Sequence, residues 1–456
     1  MFETFHLLVI GYDEIVSNKY TECFYQAFLQ NRIDGYSIID LLSEQKDIEK
    51  RIGLQSFKPT NIYYLDNVTL PENIWFSEKY FGEIINNIVS VKKNIKVYIS
   101  TEVKSHEKYL RFCLKKGIPS LTEKPIFAPI TNGHFDIDKI PDIMKELLFY
   151  VNHSSVNHSV MSLSRYHPIY NDIVLKFAKE KALSLQTPIT SIHLKHAGGV
   201  WNTHIEYDTR EDHPYKYGYG MLMHGGYHYI DLVAQALFIN KLLYPQKNFS
   251  LELCSFVAYP QDQNTRIGRK ISSIFDDYLP NWRNQKSNYN YGETDITSTF
   301  CLKDKNTNSV ITLGTISLEQ TTPSVRNWKN IPENIYNKNG RTSSVDFEVQ
   351  LSTLHSVKVH CYDVPVKNKK EIEKIDAIAK VTTRSNASFL PSEEYVTEST
   401  YTGIFHSNSN KNLMLSWLNN EDDRSTFQSH EIVMKLVYVI GKSIVEPGKP
   451  ICIDLM

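Results

Sequence analysis

The sequence predicts an α/β protein of two domains. The first is a parallel sheet wrapped by helices, and the second an α+β domain built on a large open, mostly antiparallel sheet. Three observations carry this. The chain has 456 residues, more than one ordinary hydrophobic core organises. Its first third alternates short apolar runs with segments of helical period, the mark of βαβ units. Its remainder collects alternating apolar and polar runs around a few helices, as open antiparallel sheets do.

Residues 6–10 form an apolar strand ending at Gly11, and 17–30 have helical spacing, with Tyr20, Phe24, Ala27 and Phe28 on one face. Further strands are expected at 36–42, 61–65, 95–100 and 118–121, the third and fourth of the five being rich in β-branched and aromatic residues. A helix over 105–116 is closed by Gly117 as a left-handed cap, and another over 138–150 has Pro141 in its first turn. Beyond these, helices are expected at 170–182 and 223–238, and strands at 189–196, 251–258, 296–302, 309–318 and 344–351. Residues 261–290 are polar and aromatic without a period and read as a long loop or lid. A helix at 430–441 and a strand at 450–454 close the chain. The expected domains are 1–160 and 161–456.

Composition narrows the function classes. With 41% hydrophobic and 22% charged residues and a formal net charge of -1, the chain is an ordinary globular protein with no electrostatic case for a nucleic-acid or anionic-membrane partner. The basic run Lys367 to Lys370 is followed by Glu371 and Glu373 and reads as a solvated face. No apolar stretch reaches signal-peptide or membrane-spanning length. Cys23, Cys113, Cys254, Cys301, Cys361 and Cys452 are scattered without metal-ligand spacing, so free thiols and a cytoplasmic location are expected.

A parallel sheet presents ligands at the carboxyl ends of its strands. Gly11-Tyr12-Asp13-Glu14-Ile15-Val16 follows the first strand and keeps one glycine of a pyrophosphate fingerprint. Thr101-Glu102-Val103-Lys104-Ser105-His106 follows the fourth, and Glu123-Lys124-Pro125 the fifth. Arg165-Tyr166-His167-Pro168 and the glycine-rich run from Gly218 to Asp231, with His224 and His228, lie further on.

These motifs, in this order, resemble the Gfo/Idh/MocA oxidoreductases, the relatives of glucose-fructose oxidoreductase and inositol dehydrogenase. The resemblance implies an N-terminal Rossmann-type dinucleotide-binding domain and NAD or NADP as cofactor. Lys124 falls on the family lysine that touches both the nicotinamide ribose side and the substrate hydroxyl. His228 falls on the histidine proposed as general acid/base, and Gly11 on the first fingerprint glycine. Tyr12, Thr101, His106 and Glu123 join the cofactor set, and Arg165 and His224 the substrate set. Asp40 is the candidate for the adenosine ribose hydroxyls, although it lies 29 residues beyond Gly11 where about 20 are expected; Ser43 or Glu44 are alternatives.

Two departures stand out. Asp13 and Val16 replace the second and third fingerprint glycines, and Asp13 would set a carboxylate near the pyrophosphate unless its side chain turns away. His224 replaces the aspartate four residues before the catalytic histidine, turning an Asp/His pair on one helical face into a His/His pair. The pair has metal-ligand spacing, but without a third ligand no metal is expected. The His153/His158 and His193/His196 pairs read as ordinary polar positions. Trp201, Tyr215 and Trp282 are candidates to stack on a sugar ring.

The expected function is NAD(P)-dependent interconversion of a secondary alcohol and a ketone on a sugar, polyol or related polar metabolite, with Lys124, His228 and His224 as catalytic residues. Association of copies through the open sheet face is compatible with the pattern. The alternatives are a non-catalytic dinucleotide or metabolite sensor of the same fold, motivated by the altered glycine loop and His224, and an NAD-assisted glycoside hydrolase.

Overall fold

A computed structural model describes residues 4–200, 202, 204–210, 213–266, 291–323, 342–368 and 371–456. The chain forms two compact units. One comprises Met1–Pro129, Lys139–Tyr166 and Ser407–Glu431, the other Ile130–Asp138, His167–His406 and Ile432–Met456. The division is therefore not one cut after residue 160. Ser407–Glu431, which chain order assigns to the second domain, belongs to the first unit.

The first unit is built on β1 (Phe5–Ile10), β2 (Ile33–Leu41), β3 (Asn61–Leu65), β4 (Ile95–Ile99) and β5 (Ser120–Glu123). The ribbon β6 (Ile130–Thr131) and β7 (His134–Phe135) then belongs to the second unit. The first unit resumes with β8 (His158–Met161), giving the all-parallel order β3-β2-β1-β4-β5-β8. Every residue of β1 is buried, as expected for a strand covered on both faces. The sequence reading missed β8 because His158 and Ser159 break its apolar run. Both are buried, and His158 Nδ1 lies 2.9 Å from Ser120 Oγ on β5.

The first helix opens with a wide π turn, Val16–Tyr20, and continues as Thr21–Leu29. Helix Val103–Lys116 ends at Gly117 with φ +64°, the expected left-handed cap. Helices Gln45–Gly53 and Glu78–Val91 were not foreseen. Nor was helix His406–Leu418, whose Leu413, Met414, Trp417 and Leu418 join one core with Leu7, Val9, Phe24 and Ile38. Its spacing is weakly amphipathic, so tertiary packing decides its structure.

The second unit carries β9 (Ser191–Ala197), β10 (Phe249–Ala258), β11 (Asp295–Asp304), β12 (Val310–Glu319), β13 (Ser344–Leu351), β14 (His355–Asn368), β15 (Glu371–Ser385), β16 (Val396–Thr402) and β17 (Ile451–Asp454). Among the described residues they form one sheet in the order β16-β15-β14-β13-β9-β12-β11-β10-β17. All pairs are antiparallel except β12 with β9. Alternation assigns its faces: Ile192, Leu194, Ile316, Leu318, Phe347 and Val349 are buried, while His193, Lys195 and Thr297 are exposed. Helix Gly226–Leu243 is almost wholly buried in this unit. The lid expected at 261–290 begins with a turn at Pro260–Asp262 and a short helix at Gln263–Arg266; 267–290 lie outside the described residues, as do 369 and 370 of the basic run. The six cysteines are free thiols, and no described helix is long and apolar enough to cross a membrane.

Lys96 on β4 is an unusual core residue, only 5% exposed. Its Nζ donates to the Trp417 carbonyl at 2.5 Å and lies 4.3 Å from the Phe5 ring centroid. Burial pulls its pKa from the ordinary 10.5 down to about 7, against the opposing charge of Asp422. The folded state therefore binds fewer protons than the unfolded chain between those values, and stability rises with pH across that window. Lys96→Met is expected to raise the unfolding free energy at pH 6 to 7 by roughly 1–3 kcal/mol, with the gain shrinking toward pH 10. Denaturant titrations at the two ends of the window measure it, and an undiminished gain at pH 10 would refute the electrostatic cause.

Candidate functional site

In the first unit the strand order reverses beside β1, so the carboxyl ends of β1 and β4 frame the place where such sheets hold ligands. Gly11 leaves β1 with φ +88°. A Cβ there would stand 2.6 Å from the Ser100 carbonyl oxygen, so both backbone conformation and space demand glycine. Its N–H donates to Ile39 O at 2.9 Å, tying the turn to β2.

The next two residues bind the loop to itself. Asp40, at the end of β2, accepts from Tyr12 N–H at 2.6 Å through Oδ2 and from Leu41 N–H at 2.7 Å through Oδ1. Tyr12 O accepts from Arg51 at 3.3 Å, and the Tyr12 ring is buried with its hydroxyl 3.2 Å from Thr21 Oγ1. Asp13 turns its carboxylate inward as well, and Oδ1 accepts from Val16 N–H at 2.8 Å. Burial pushes the Asp13 carboxyl up to about 6, helped by Glu123 and opposed by the Val16 amide and Arg51. Of the alternatives to Asp40, Ser43 exchanges hydrogen bonds with the Asn67 side chain.

At the end of β5, Glu123 accepts from Tyr98 Oη at 2.7 Å, from Lys124 N–H at 3.4 Å and from Tyr20 Oη at 3.5 Å. Burial raises its pKa, while the Tyr98 hydroxyl, Lys124 and Lys19 pull the other way. The Lys124-Pro125 peptide is cis. His106 was expected among the cofactor contacts; the structure gives it a different place. It is 1% exposed, with Nδ1 2.9 Å from Pro125 O and Nε2 2.9 Å from Thr101 O. A neutral imidazole donates to only one of these carbonyls. Burial lowers its pKa and outweighs the two carbonyls. His106 thus stands between the Lys124-Pro125 turn and the end of β4, and its neutral ring donates to one of them.

Arg165 also differs from expectation. It is 6% exposed, and its guanidinium donates to Arg424 O, Ser429 Oγ and Ser429 O at 2.8 to 3.0 Å. Those bonds fasten the returning segment Ser407–Glu431 inside its own unit and give no support to a substrate role. Its neighbour Tyr166 does likewise, donating to Asp422 Oδ1 at 2.7 Å.

In the second unit the glycine-rich run crosses residues 292–293 at backbone contact. A Cβ on Gly220 would lie 1.9 Å from Glu293 O. Met221 N–H donates to that carbonyl at 3.0 Å, and Leu222 N–H to Glu293 Oε1 at 2.8 Å. His224 donates its N–H to Gly220 O at 3.0 Å, and its ring is met edge-on by Tyr215, His213 and Tyr219, with centroids 4.8, 5.0 and 5.5 Å away. The helix begins only at Gly226, so His224 sits in the preceding turn and does not share a helical face with His228 as spacing predicted. His228 lies in the first helical turn, 7% exposed. Tyr215 is buried against Tyr207 and His224, which removes it as an open stacking platform; Trp201 and Trp282 lie outside the described residues. The His pairs separate: His153 and His193 are exposed, while His158 and His196 are buried, the latter stacked on Tyr229. Among the described residues no three potential ligands gather in a metal-binding arrangement.

Glu293 is the residue the sequence reading missed. It is 4% exposed, and the only signal for it was a lone carboxylate in an aromatic stretch before an alternating strand.

No family model matches the sequence, and no curated protein does. Solved structures do. A levoglucosan dehydrogenase in complex with NADH and levoglucosan matches with a TM-score of 0.59 at 12% identity, over 99% of this chain and 100% of that one. The WlbA dehydrogenase from Bordetella pertussis, in complex with NADH and UDP-GlcNAcA, gives 0.52 and 12% over 100% of both chains. A myo-inositol dehydrogenase from Corynebacterium glutamicum gives 0.52 and 10% over 99% of both. At these identities the likeness is one of fold, and it runs through nearly the whole chain.

Burial lifts the Glu293 carboxyl to about 7 from an ordinary 4.5, its backbone hydrogen bonds opposing. The folded state then binds more protons than the unfolded chain between those values, and stability is lost as pH rises through the window. Glu293→Gln keeps an acceptor for Leu222 N–H. It is expected to be near neutral at pH 4.5 and to stabilise by roughly 1–3 kcal/mol at pH 8. Thermal unfolding at the two pH values measures it; equal effects at both would refute it.

Proposed function

We propose that this protein is an NAD(P)-dependent oxidoreductase that interconverts a secondary alcohol and a ketone on a sugar, polyol or related polar metabolite. What carries the reading is the cluster at the carboxyl edge of the parallel sheet: Gly11, Asp40, Thr101, Glu123 and Lys124 gather where dinucleotide folds hold their ligand. The shared fold with dehydrogenases described with NADH supports it, as does the resemblance of the Lys124 and His228 motifs to the Gfo/Idh/MocA pattern.

The residues fit such a cofactor in most respects. Gly11 supplies the tight turn with no Cβ in the way, and Asp40 stands at the end of β2. The departure is at the pyrophosphate, where Asp13 already engages the Val16 amide. When bound, the nicotinamide accepts or supplies a hydride. The chain's own residues do the rest. The Lys124 ammonium donates a hydrogen bond to the substrate oxygen and stabilises the negative charge it carries once its proton has left in oxidation, or gains as the C–H bond forms in reduction. His228 takes the hydroxyl proton in oxidation and returns it in reduction. Glu123 and His106 hold the Lys124 turn in position. His224 tunes or relays the proton without the fixed negative charge a carboxylate would bring at its position.

Proton transfer by a positioned group contributes about 10²–10⁴-fold. His228→Ala and Lys124→Ala are expected to lower turnover on a responsive polyol or sugar by about that factor, while dinucleotide affinity changes little. Fluorescence titration with NADH and NADPH followed by a substrate screen is the test. Failure to bind either dinucleotide would remove the function, and normal turnover by His228→Ala would remove the assigned role.

A further inference from the structure

The cofactor reading leaves one arrangement unexplained. The loop that should offer its amides to a pyrophosphate has given two of them to carboxylates of the chain, one its own and one from the end of β2. Asp40 accepts from Tyr12 N–H at 2.6 Å, and Asp13 accepts from Val16 N–H at 2.8 Å. The first amides of a helix are where anions bind, because their N–H groups have no partner within the helix. Asp13 fills that place as a side-chain cap. A pyrophosphate arriving there meets an occupied amide and a negative charge a few ångströms away.

The surroundings make that charge costly. Asp13 is faced by Glu123 from the end of β5, by Arg51 from helix Gln45–Gly53, and by Lys19 and Tyr20 from its own helix. Of the two cations, Arg51 also donates to Tyr12 O, and Lys19 is shared with Glu123. A second anion beside Asp13 would favour its neutral form further.

We propose that Asp13 is a proton-operated competitor for the cofactor's pyrophosphate: ionised, it holds the Val16 amide and repels the phosphates; protonated, it yields the place, so that a dinucleotide binds together with a proton. This rests on the cofactor reading above and deepens it. The sign follows from linkage. Asp13 titrates at about 6 in the free protein, so affinity is flat below that pH and falls above it. The fall reaches tenfold per pH unit at most, until the pH passes the value Asp13 takes in the complex. Between pH 6 and 8 the loss is expected to be about 10- to 100-fold. Asp13→Asn keeps an oxygen to cap Val16 N–H and removes the charge, so it separates the charge from the fold of the loop.

The experiment is calorimetric titration of the full chain with NADH from pH 5.5 to 8, in buffers of different ionisation enthalpy. NADH is the probe because the extra phosphate of NADPH itself titrates near pH 6. The expected result for the unaltered chain is net uptake of about one proton at pH 7 and the stated loss of affinity. Asp13→Asn should take up none and bind more tightly than the unaltered chain at pH 8 by a similar factor. An affinity independent of pH in the unaltered chain, with NADH still bound, overturns the inference and leaves the cofactor reading standing. A slope that persists in Asp13→Asn also overturns it and assigns the proton to another group, Glu123 first. Absence of NADH binding in both proteins, each shown folded by circular dichroism, overturns the cofactor reading and the inference with it.

Discussion

The first unit depends on the parallel pairing of β1 with β2 on one side and β4 on the other, each running through Ile10. That double pairing buries β1 completely and brings three strand ends level at the same edge. It also sets Gly11 against the Ser100 carbonyl at a distance no side chain tolerates. Once the turn is fixed there, Asp40 at the end of β2 lies within reach of the Tyr12 amide. Thr101, one residue beyond Ser100, presents its carbonyl to His106. The candidate site is a consequence of register: a shift of one residue would reverse every side chain on β1 and dissolve the cluster.

Within that frame the site is rich in acids. Asp13, Asp40 and Glu123 are all pushed upward by burial, and the partners that restrain them are mostly backbone amides and the Tyr98 hydroxyl. Nearby Lys19 is pushed downward by the same burial. Such an arrangement stabilises the fold poorly, because each desolvated charge costs more than an exposed one would. Perturbed carboxyls concentrated at a strand edge are what functional sites require. The tyrosine hydroxyls and His106 act here as props, holding Glu123 and the Lys124 turn so that Lys124 need not rely on a flexible loop.

Much of this was legible in the sequence because it is local. Gly11, the Gly117 cap and the Glu123-Lys124-Pro125 turn are decided by backbone geometry within a few residues, and each appears where the pattern put it. Strands β1 to β5 of the first sheet and β9 to β13 of the second follow from period. What escaped depends on partners far along the chain. β8 needs Ser120 to satisfy His158, helix His406–Leu418 needs the core of β1, and the long strands β14 and β15, with the shorter β16, have a polar content that is reconciled by pairing with one another. His106 illustrates the limit within the site. Its spacing from Thr101 was visible, but its contact with Pro125 O spans 19 residues and could not be read from local pattern.

The second unit shows the same logic with a different device. The glycine-rich run contributes no regular element before Gly226, so from within it is held by turn bonds such as His224 N–H to Gly220 O. Further order comes from the crossing with Glu293. The Glu293 carbonyl and carboxylate take the Met221 and Leu222 amides, and Gly220 permits the backbones to touch. A neutral carboxylic acid would still accept the Leu222 N–H, but more weakly than a carboxylate. The segment bearing His224 is therefore held by a group that titrates at about 7, and its rigidity and that group's charge are linked. The aspartate expected before His228 is absent from its own position, and a buried carboxylate, Glu293, is bonded instead to the turn that carries its replacement. Negative charge in the two loops thus serves the backbone first: Asp13 and Asp40 in one, Glu293 in the other, each bonded to amides that the local fold leaves open.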